Sequence, residues 1–477
     1  MSSKNVIENV LANRYASSTI KDIWSDQAKI VLERDLWIAV LKAQKFLGLD
    51  ISDEAISSYE YHKNNVDLDK IKIKEKKLRH DVKARIEAFC ELAGFEQIHK
   101  GMTSRDLTDN VEILQIKKSL ELIQKKYFSI LWRIKNLVEN NSNIMLVART
   151  HNVPAQATTL GKRLAMFGQE MLLAFSKLNH TIDNLCIRGI KGAVGTQVDQ
   201  FSLFNNQPET ILELDQLIGK FLGFNKSLNN VGQVYPRSID FEVISCLYSL
   251  SSGMSSLAKT LRLMAGQELF TEGFKDGQVG SSAMPHKMNT RNLERINGFH
   301  IILNGYLNMI SGLAGDQWNE GDVSCSVVRR VALPDGFFAI DGQIETMLTV
   351  LDEMGFYESM IKKEFEFYLP FISSTRILME AVKKGAGREA AHLAIKENSI
   401  KVLKEIRFGD NNKNDLIDLL AKDSRIPLNK SEIQDSLSDC SSLIGLAREQ
   451  CLKFINEINE MSEKYLESLN YKPEEII

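Results

Sequence analysis

The sequence predicts a nearly all-α protein, on three observations. Its eight prolines are sparse and late: none precedes Pro154, and none lies between Pro236 and Pro285. Proline interrupts helices, so gaps of that length permit unbroken ones. No sustained two-residue alternation marks a large sheet. Instead, two stretches repeat apolar residues at alternating steps of three and four. One runs Leu120, Ile123, Tyr127, Ile130, Ile134, Leu137; the other runs Val243, Leu247, Leu250, Met254, Leu257, Leu261, Met264. Such seams belong to helices packed side by side in a bundle.

A chain of 477 residues suggests about two to four domains. Apolar residues make up 44%, enough for large cores, and acids and bases are interspersed to a net charge of −3. That is not the basic stripe of a nucleic-acid-binding protein. The six cysteines (Cys90, Cys186, Cys246, Cys325, Cys440, Cys451) are far apart and form no CxxC. A chain of this size needs no disulfides, so reduced thiols in a cytoplasmic protein are expected. MSSKNVIENVLANRY at 1–15 has no apolar core of the secretory type, and no membrane span is expected. No cluster of metal-ligand spacing stands out, so no metal is expected.

Residues 26–47 read as a helix with Leu36, Val40 and Leu47 on one face, ended by Gly48. Ser52, followed by Asp53 and Glu54, starts a shorter one. The charged run at 70–89 reads as a solvated helix face, with Arg79, His80 and Asp81 where the pattern turns apolar. Residues 1–102 are therefore taken as an N-terminal helical domain. Gly101 then breaks the chain, and Thr103 or Ser104 caps the first seam helix. Its N-terminal N–H groups suit an anion. Thr150, His151 and Asn152 lie in a turn, and Pro154 fits the first turn of a helix running to about residue 186. A histidine at so polar a junction is well placed to titrate. GIKGAVGTQ at 189–197 is rich in glycine but lacks the spacing of a phosphate loop.

The second seam helix also carries Ser249, Ser251, Ser252, Gly253, Ser255 and Ser256. Small residues at that density allow close helix approach on more than one side. Its neighbours need not all come from one chain, so an oligomer is expected. A further helix spans about 289–315, and WNEGDVSCSVVRR at 318–330 is a loop leading into another. Residues 103–356 form the central long-helix bundle domain. From 357 to 477 the helices shorten and gain charge, divided by Pro370, Gly385, Gly387 and Pro427, which marks a C-terminal helical domain.

The stretch DGQVGSSAMPHKMNT at 276–290 interrupts the helical pattern with glycines and a proline. Its polar groups are chemically specific. Ser281 and Ser282 offer adjacent hydroxyls, Lys287 meets anions, Asn289 donates an oriented amide, and Gly280 lets a ligand approach the backbone.

GSSAMPHKMN within that stretch resembles the signature loop of the fumarase/aspartase superfamily. An ordered set of further segments is similar to one family within it, the adenylosuccinate lyases. These are NRYAS at 13–17, RHD at 79–81, TS at 103–104, TH at 150–151, AQATTLGKR at 155–163, GIKGAVGTQ at 189–197 and RR at 329–330. The resemblance spans residue 13 to about residue 390. It implies a three-domain all-α fold whose long helices form the core of a homotetramer, with each site shared by three subunits.

The resemblance implies elimination of fumarate from a succinyl group carried on the nitrogen of a purine nucleotide or imidazole ribotide. That chemistry needs a base for a C–H bond, positive charge or dipoles for a growing carboxylate charge, and an acid for the leaving nitrogen. Ser281 matches the base and His151 the acid. Ser282 competes for the first role, because sequence does not separate adjacent hydroxyls. Arg14 and Tyr15 resemble contacts to the phosphate end. Arg79, His80 and Asp81 resemble nucleotide contacts. Thr103, Ser104, Thr150, Lys287 and Asn289 resemble contacts to the succinyl carboxylates. Gln233, Arg295, Ser326 and Arg330 complete the set. Rival readings are another lyase of the superfamily, such as argininosuccinate lyase, and a non-catalytic structural relative.

Two positions depart from the pattern. Gly321 stands where many relatives carry an arginine after Trp-x-Glu, and Thr290 stands where proline is common. Arg329 is a nearby cation able to replace the missing one.

Overall fold

The computed structural model describes residues 7–273, 284, 287–409 and 413–476. Ser281, Ser282, Gly280 and most of the signature stretch lie outside the described residues. The chain opens with α1 (Val10–Arg14), α2 (Ser18–Trp24), α3 (Asp26–Phe46), α4 (Asp53–His62), α5 (Leu68–Leu78) and α6 (Asp81–Ala93). Next comes α7 (Ser104–Asn141), followed by a hairpin of β1 (Met145–Thr150) and β2 (Val153–Thr159). Then follow α8 (Leu160–Asn184), α9 (Val198–Leu203), α10 (Pro208–Phe221) and α11 (Ser238–Gly266). After β3 (Phe270–Thr271) come α12 (Arg291–Ser311), α13 (Cys325–Glu353) and β4 (Gly355–Phe356), which pairs with β3. The last helices are α14 (Glu358–Ile372), α15 (Ser374–Lys383), α16 (Arg388–Phe408), α17 (Leu416–Leu420), α18 (Lys430–Ser438), α19 (Ala447–Ser462) and α20 (Leu466–Leu469).

The all-α expectation holds, and the seams explain why. In α7, Leu120, Ile123, Tyr127, Ile130 and Ile134 are buried, but Val138 rather than Leu137 closes the row. A straight helix turns every 3.6 residues, so a strict 3.5 repeat drifts off the contact line. In α11 all seven seam residues are buried. Beside that seam, Gly253 permits close approach of α8: a Cβ there would stand 2.7 Å from Met171 Cγ. α11 thus packs against both α8 and α12, in a bundle completed by α7 and α13.

One correction concerns residues 145–159. Pro154 does not open a helix; it lies in β2, and α8 begins only at Leu160. Thr150 pairs with Val153, so His151 and Asn152 form the whole turn, at φ 53° and 62°. Two successive positive φ values are the mark of a type I′ turn, whose twist matches a hairpin. Pro154 has no N–H to give a ladder, and it sits opposite Arg149 where the register shifts.

The main apolar core runs through the bundle and includes Cys451, Phe454 and Ile458 of α19, which returns to pack on α7 and α8. A separate core, containing Ile377, Ala391, Leu416 and Ile433, holds α15 to α18 together.

Candidate active site

Polar residues of α7 form the floor of the site. Ser104, Thr108, Glu112 and Gln115 fall on one helix face and line a cavity of about 530 Å³. Its other walls come from Asp26 and Lys29 of α3, Asp81 and Arg85 of α6, and Ser326, Arg329 and Arg330 of α13. An adjoining opening adds Lys72, Lys76, Arg79 and His80 around the shared residues Glu75, Asp81, Ser104 and Arg330. The structure therefore brings together six of the expected residues: Arg79, His80, Asp81, Ser104, Ser326 and Arg330. Thr103 stands beside them as the N-cap of α7, its N–H donated to Asp106 Oδ2 at 2.7 Å.

Local geometry explains the Arg79–Asp81 corner. Arg79 is the left-handed C-cap of α5 at φ 53°, and His80 is the N-cap of α6. Lys83 N–H is donated to His80 Nδ1 at 3.2 Å. Nδ1 is thereby an acceptor, which leaves Nε2 as the proton-bearing nitrogen of the neutral ring. Burial raises the Asp81 carboxyl pKa, but Arg85, donating to Oδ2 at 2.9 Å, together with the Val82 N–H, His80 and Lys29, holds the group below its ordinary value.

The deeper charges are committed to one another. Arg329, 2% exposed, donates to Asp240 Oδ2 at 2.7 Å and also to Glu112 and the Tyr235 hydroxyl. Burial opposes its charge, but Glu112, Tyr235 and Asp240 hold its pKa well above the usual arginine value. Burial likewise raises Glu112, and Arg329, with Lys29 and Arg237, more than reverses it. Arg329 is thus a structural cation, not the replacement for a missing one. At Gly321 the backbone has φ 118°, a conformation that disfavours any side chain, and a Cβ would meet Val234 Cγ2 at 2.9 Å. By contrast Arg79 and Arg330, which line the cavity and its opening, form no ion pair among the described residues. An unspent cation set around a polar cavity suits an anionic ligand.

The remaining expected residues lie in other places. Tyr15 stacks edge-on to Phe299 at 5.3 Å, and Arg295 lies 5.4 Å from its ring centre. Arg14, the last residue of α1, is exposed. Exposed Thr150 and His151 lie at the hairpin tip. Arg149 holds that hairpin to α14 through Glu364, and Arg149 Nη1 donates to Asn152 O at 3.3 Å. Lys287 is exposed and Asn289 half-buried just ahead of α12. There Glu272 takes the first N–H groups of α12, from Asn292 and Leu293, at 3.0 Å each. Gln233 N–H is donated to Glu320 O at 2.6 Å, tying 231–234 to the segment that holds Gly321.

The glycine-rich 189–197 segment is a brace. Asp106 Oδ1 accepts the N–H groups of Lys191 at 2.8 Å and Gly192 at 3.0 Å, and it also holds buried Arg188. Sequence reasoning missed Glu112, Asp240, Tyr235 and Lys29. For Glu112 the available signal was the Ser104–Thr108–Glu112–Gln115 stripe, polar groups that share one helix face. Among the described residues no group of three or more His, Cys, Asp or Glu is arranged to hold a metal, and no helix is long and apolar enough to cross a membrane.

This bundle, with its polar cavity at one end, is the architecture of an all-α lyase. A family model described as "Lyase" matches residues 10–302, and one described as "Adenylosuccinate lyase C-terminus" matches residues 370–454. The chain belongs to the adenylosuccinate lyase family. It is 32% identical to the adenylosuccinate lyase of Schistosoma mansoni, with 97% of each chain covered. It is 34% identical to that of Schizosaccharomyces pombe, over 94% of this chain and 93% of the relative. In fold it is similar to the 3-carboxy-cis,cis-muconate lactonizing enzyme of Pseudomonas putida, at a TM-score of 0.81 and 17% identity, covering 95% of this chain and all of the other.

Proposed function

We propose that the protein is a carbon–nitrogen lyase of purine nucleotide biosynthesis. It eliminates fumarate from adenylosuccinate to give AMP, and from SAICAR to give AICAR. The observation that carries this is a likeness to adenylosuccinate lyases along nearly the whole chain. The unspent cations around the cavity support the same reading, since both substrates carry a phosphate and two succinyl carboxylates.

In this reading Ser281 removes the proton beside a succinyl carboxylate, and Ser282 is the competing base. His151 protonates the leaving nitrogen. A serine hydroxyl is a poor base until its alkoxide is stabilised, a task for Lys287 and the N–H groups of the glycine-rich loop. Arg14 and Tyr15 take the phosphate end, and Arg79, His80 and Asp81 the nucleotide. Thr103, Ser104, Thr150, Lys287 and Asn289 take the carboxylates, with Gln233, Arg295, Ser326 and Arg330 completing the site. Regions 1–102 and 103–356 supply these groups, as an N-terminal wall and a central scaffold, and region 357–477 is the C-terminal support.

The described ones among these residues belong to different elements, the end of α1, the α5–α6 corner and the β1–β2 tip, and in this reading each site is shared between subunits of a homotetramer. Ile301 at 71% exposure and Val327 at 73%, with Met309 and Val331 nearby on α12 and α13, give that assembly an apolar contact face. The enzyme works in the cytoplasm and uses no cofactor.

Incubation of purified protein with adenylosuccinate, following AMP and fumarate, tests the assignment. Turnover of argininosuccinate but not adenylosuccinate would move it to another lyase, and no turnover of either would leave a non-catalytic relative.

A further inference from the structure

The two family models end at residues 302 and 454. Beyond both, the chain makes α20 and then runs back over the bundle to contact a segment that carries two of the proposed site residues. Tyr471 is held from both ends: its hydroxyl is donated to Glu345 Oε1 at 2.6 Å, and its carbonyl accepts from Arg133 Nη2 at 2.7 Å. Glu474 N–H is donated to Glu345 Oε2 at 2.8 Å. The Glu474 carboxylate then accepts the Ser18 N–H at 2.8 Å and the Ser18 hydroxyl at 2.9 Å.

Ser18 is the first residue of α2, so a carboxylate there satisfies an otherwise open N–H and meets the positive end of the helix. The preceding residue is fixed from the other side. Ser17 N–H is donated to Asp341 Oδ2 at 2.7 Å, and Lys126 Nζ to Ser17 Oγ at 2.7 Å. Lys126 also meets Asp341 and Glu345 at 2.6 Å each, and all three are essentially fully buried. One buried cation and two carboxylates thus join the tail, the α7–α13 pair and the Ser17–Ser18 turn. Only Ala16 separates that turn from Tyr15 and Arg14.

We infer that the C-terminal tail is a positioning element for the phosphate end of the substrate: Glu474 holds the Ser17–Ser18 turn and so sets where Arg14 and Tyr15 stand. This rests on the proposed contacts of Arg14 and Tyr15 with that phosphate. Glu474 touches no substrate. Its effect passes through the turn, so it belongs in KM for ligands that carry the phosphate. A tail that merely stabilised the fold would show no such selectivity.

The test compares Glu474→Ala, Glu474→Gln and Arg14→Ala in the full-length enzyme, with adenylosuccinate and with its 5′-dephosphorylated nucleoside. Glu474→Ala is expected to raise KM for the nucleotide by about tenfold, with kcat within about twofold, on the scale of one charge-assisted hydrogen bond. KM for the nucleoside stays unchanged. Glu474→Gln keeps one acceptor oxygen and falls between the two. Hydrogen exchange at the Ser17 and Ser18 amides rises in Glu474→Ala. Unchanged exchange, or a KM rise equal for both ligands, overturns the inference. A selective effect of Arg14→Ala without one of Glu474→Ala also overturns it. The reverse pattern sinks the phosphate role of Arg14 and leaves the tail as a positioning element for the turn.

Discussion

The histidines of this chain sit in places that decide what each is able to do. His99 is half-buried against Trp37, whose indole N–H is donated to His99 Nδ1 at 3.0 Å. Burial, opposed by Asp106, pushes its pKa down from 6.5 to about 4. The unfolded chain therefore binds more protons than the native one between about pH 4 and 6.5, and stability rises with pH across that window. The contribution is complete above pH 6.5 and is lost as pH falls toward 4, on the order of 3 kcal/mol. Thermal melting of His99→Gln, which keeps an acceptor for the indole, is expected to show a flatter slope there than the parent protein. Parallel slopes would contradict this. His151 differs in being exposed at a turn, free to meet a ligand. Ser281→Ala and His151→Ala are each expected to cut turnover by at least ~100-fold, the scale of general acid–base catalysis. Near-normal turnover of Ser281→Ala with loss in Ser282→Ala would move the base by one residue.

At the scale of elements, the β1–β2 hairpin carries the proposed acid but draws its stiffness from elsewhere. Arg149 joins it to Glu364 of α14, and Arg163 Nη2 is donated to Val147 O at 2.9 Å. Glu364→Gln removes the charge of that anchor while keeping its shape. It is expected to lower kcat by about tenfold, since small misplacement of a catalytic group is costly. Its melting temperature should move little. A loss of stability in step with activity would mean that the anchor merely holds the fold.

The same hairpin marks a limit of sequence reading. Strand and helix starts look alike when a segment is six or seven residues long, and Pro154 is welcome in both a first helical turn and an irregular strand pair. Only the pairing of Thr150 with Val153 decides between them. The long helices were legible because burial repeats along them, as in α11. The Glu112–Arg329–Asp240 group was not, because its members are brought together from three helices by tertiary packing. Its polar stripe on α7 was visible in sequence, but not the partners that would fill it.

The described residues expose an apolar face on α12 and α13, and the described ones among the proposed site residues belong to different elements. Both facts are resolved if copies of the chain complete one another. Ile301→Asp is expected to split the assembly, with sedimentation velocity reporting smaller species and turnover falling in parallel. An assembly that survives this change would place the contact elsewhere. Mixing inactive Ser281→Ala with inactive His151→Ala should restore part of the activity, because some mixed sites receive both intact groups. No rescue after proven subunit exchange would argue for sites built from single chains.

Gly321 closes an evolutionary route. With φ at 118° and Val234 against the place of a Cβ, an arginine at this position is not one codon change away from being useful. It would first require the 318–324 loop to take another path, and that path is held by the Gln233–Glu320 hydrogen bond. The glycine here is therefore hard to exchange for any side chain. Selection for tighter anion binding would reach more readily for exposed positions on the cavity rim, near Lys72, Lys76 and Arg330. A library of substitutions selected for activity should enrich changes on that rim and leave glycine at 321.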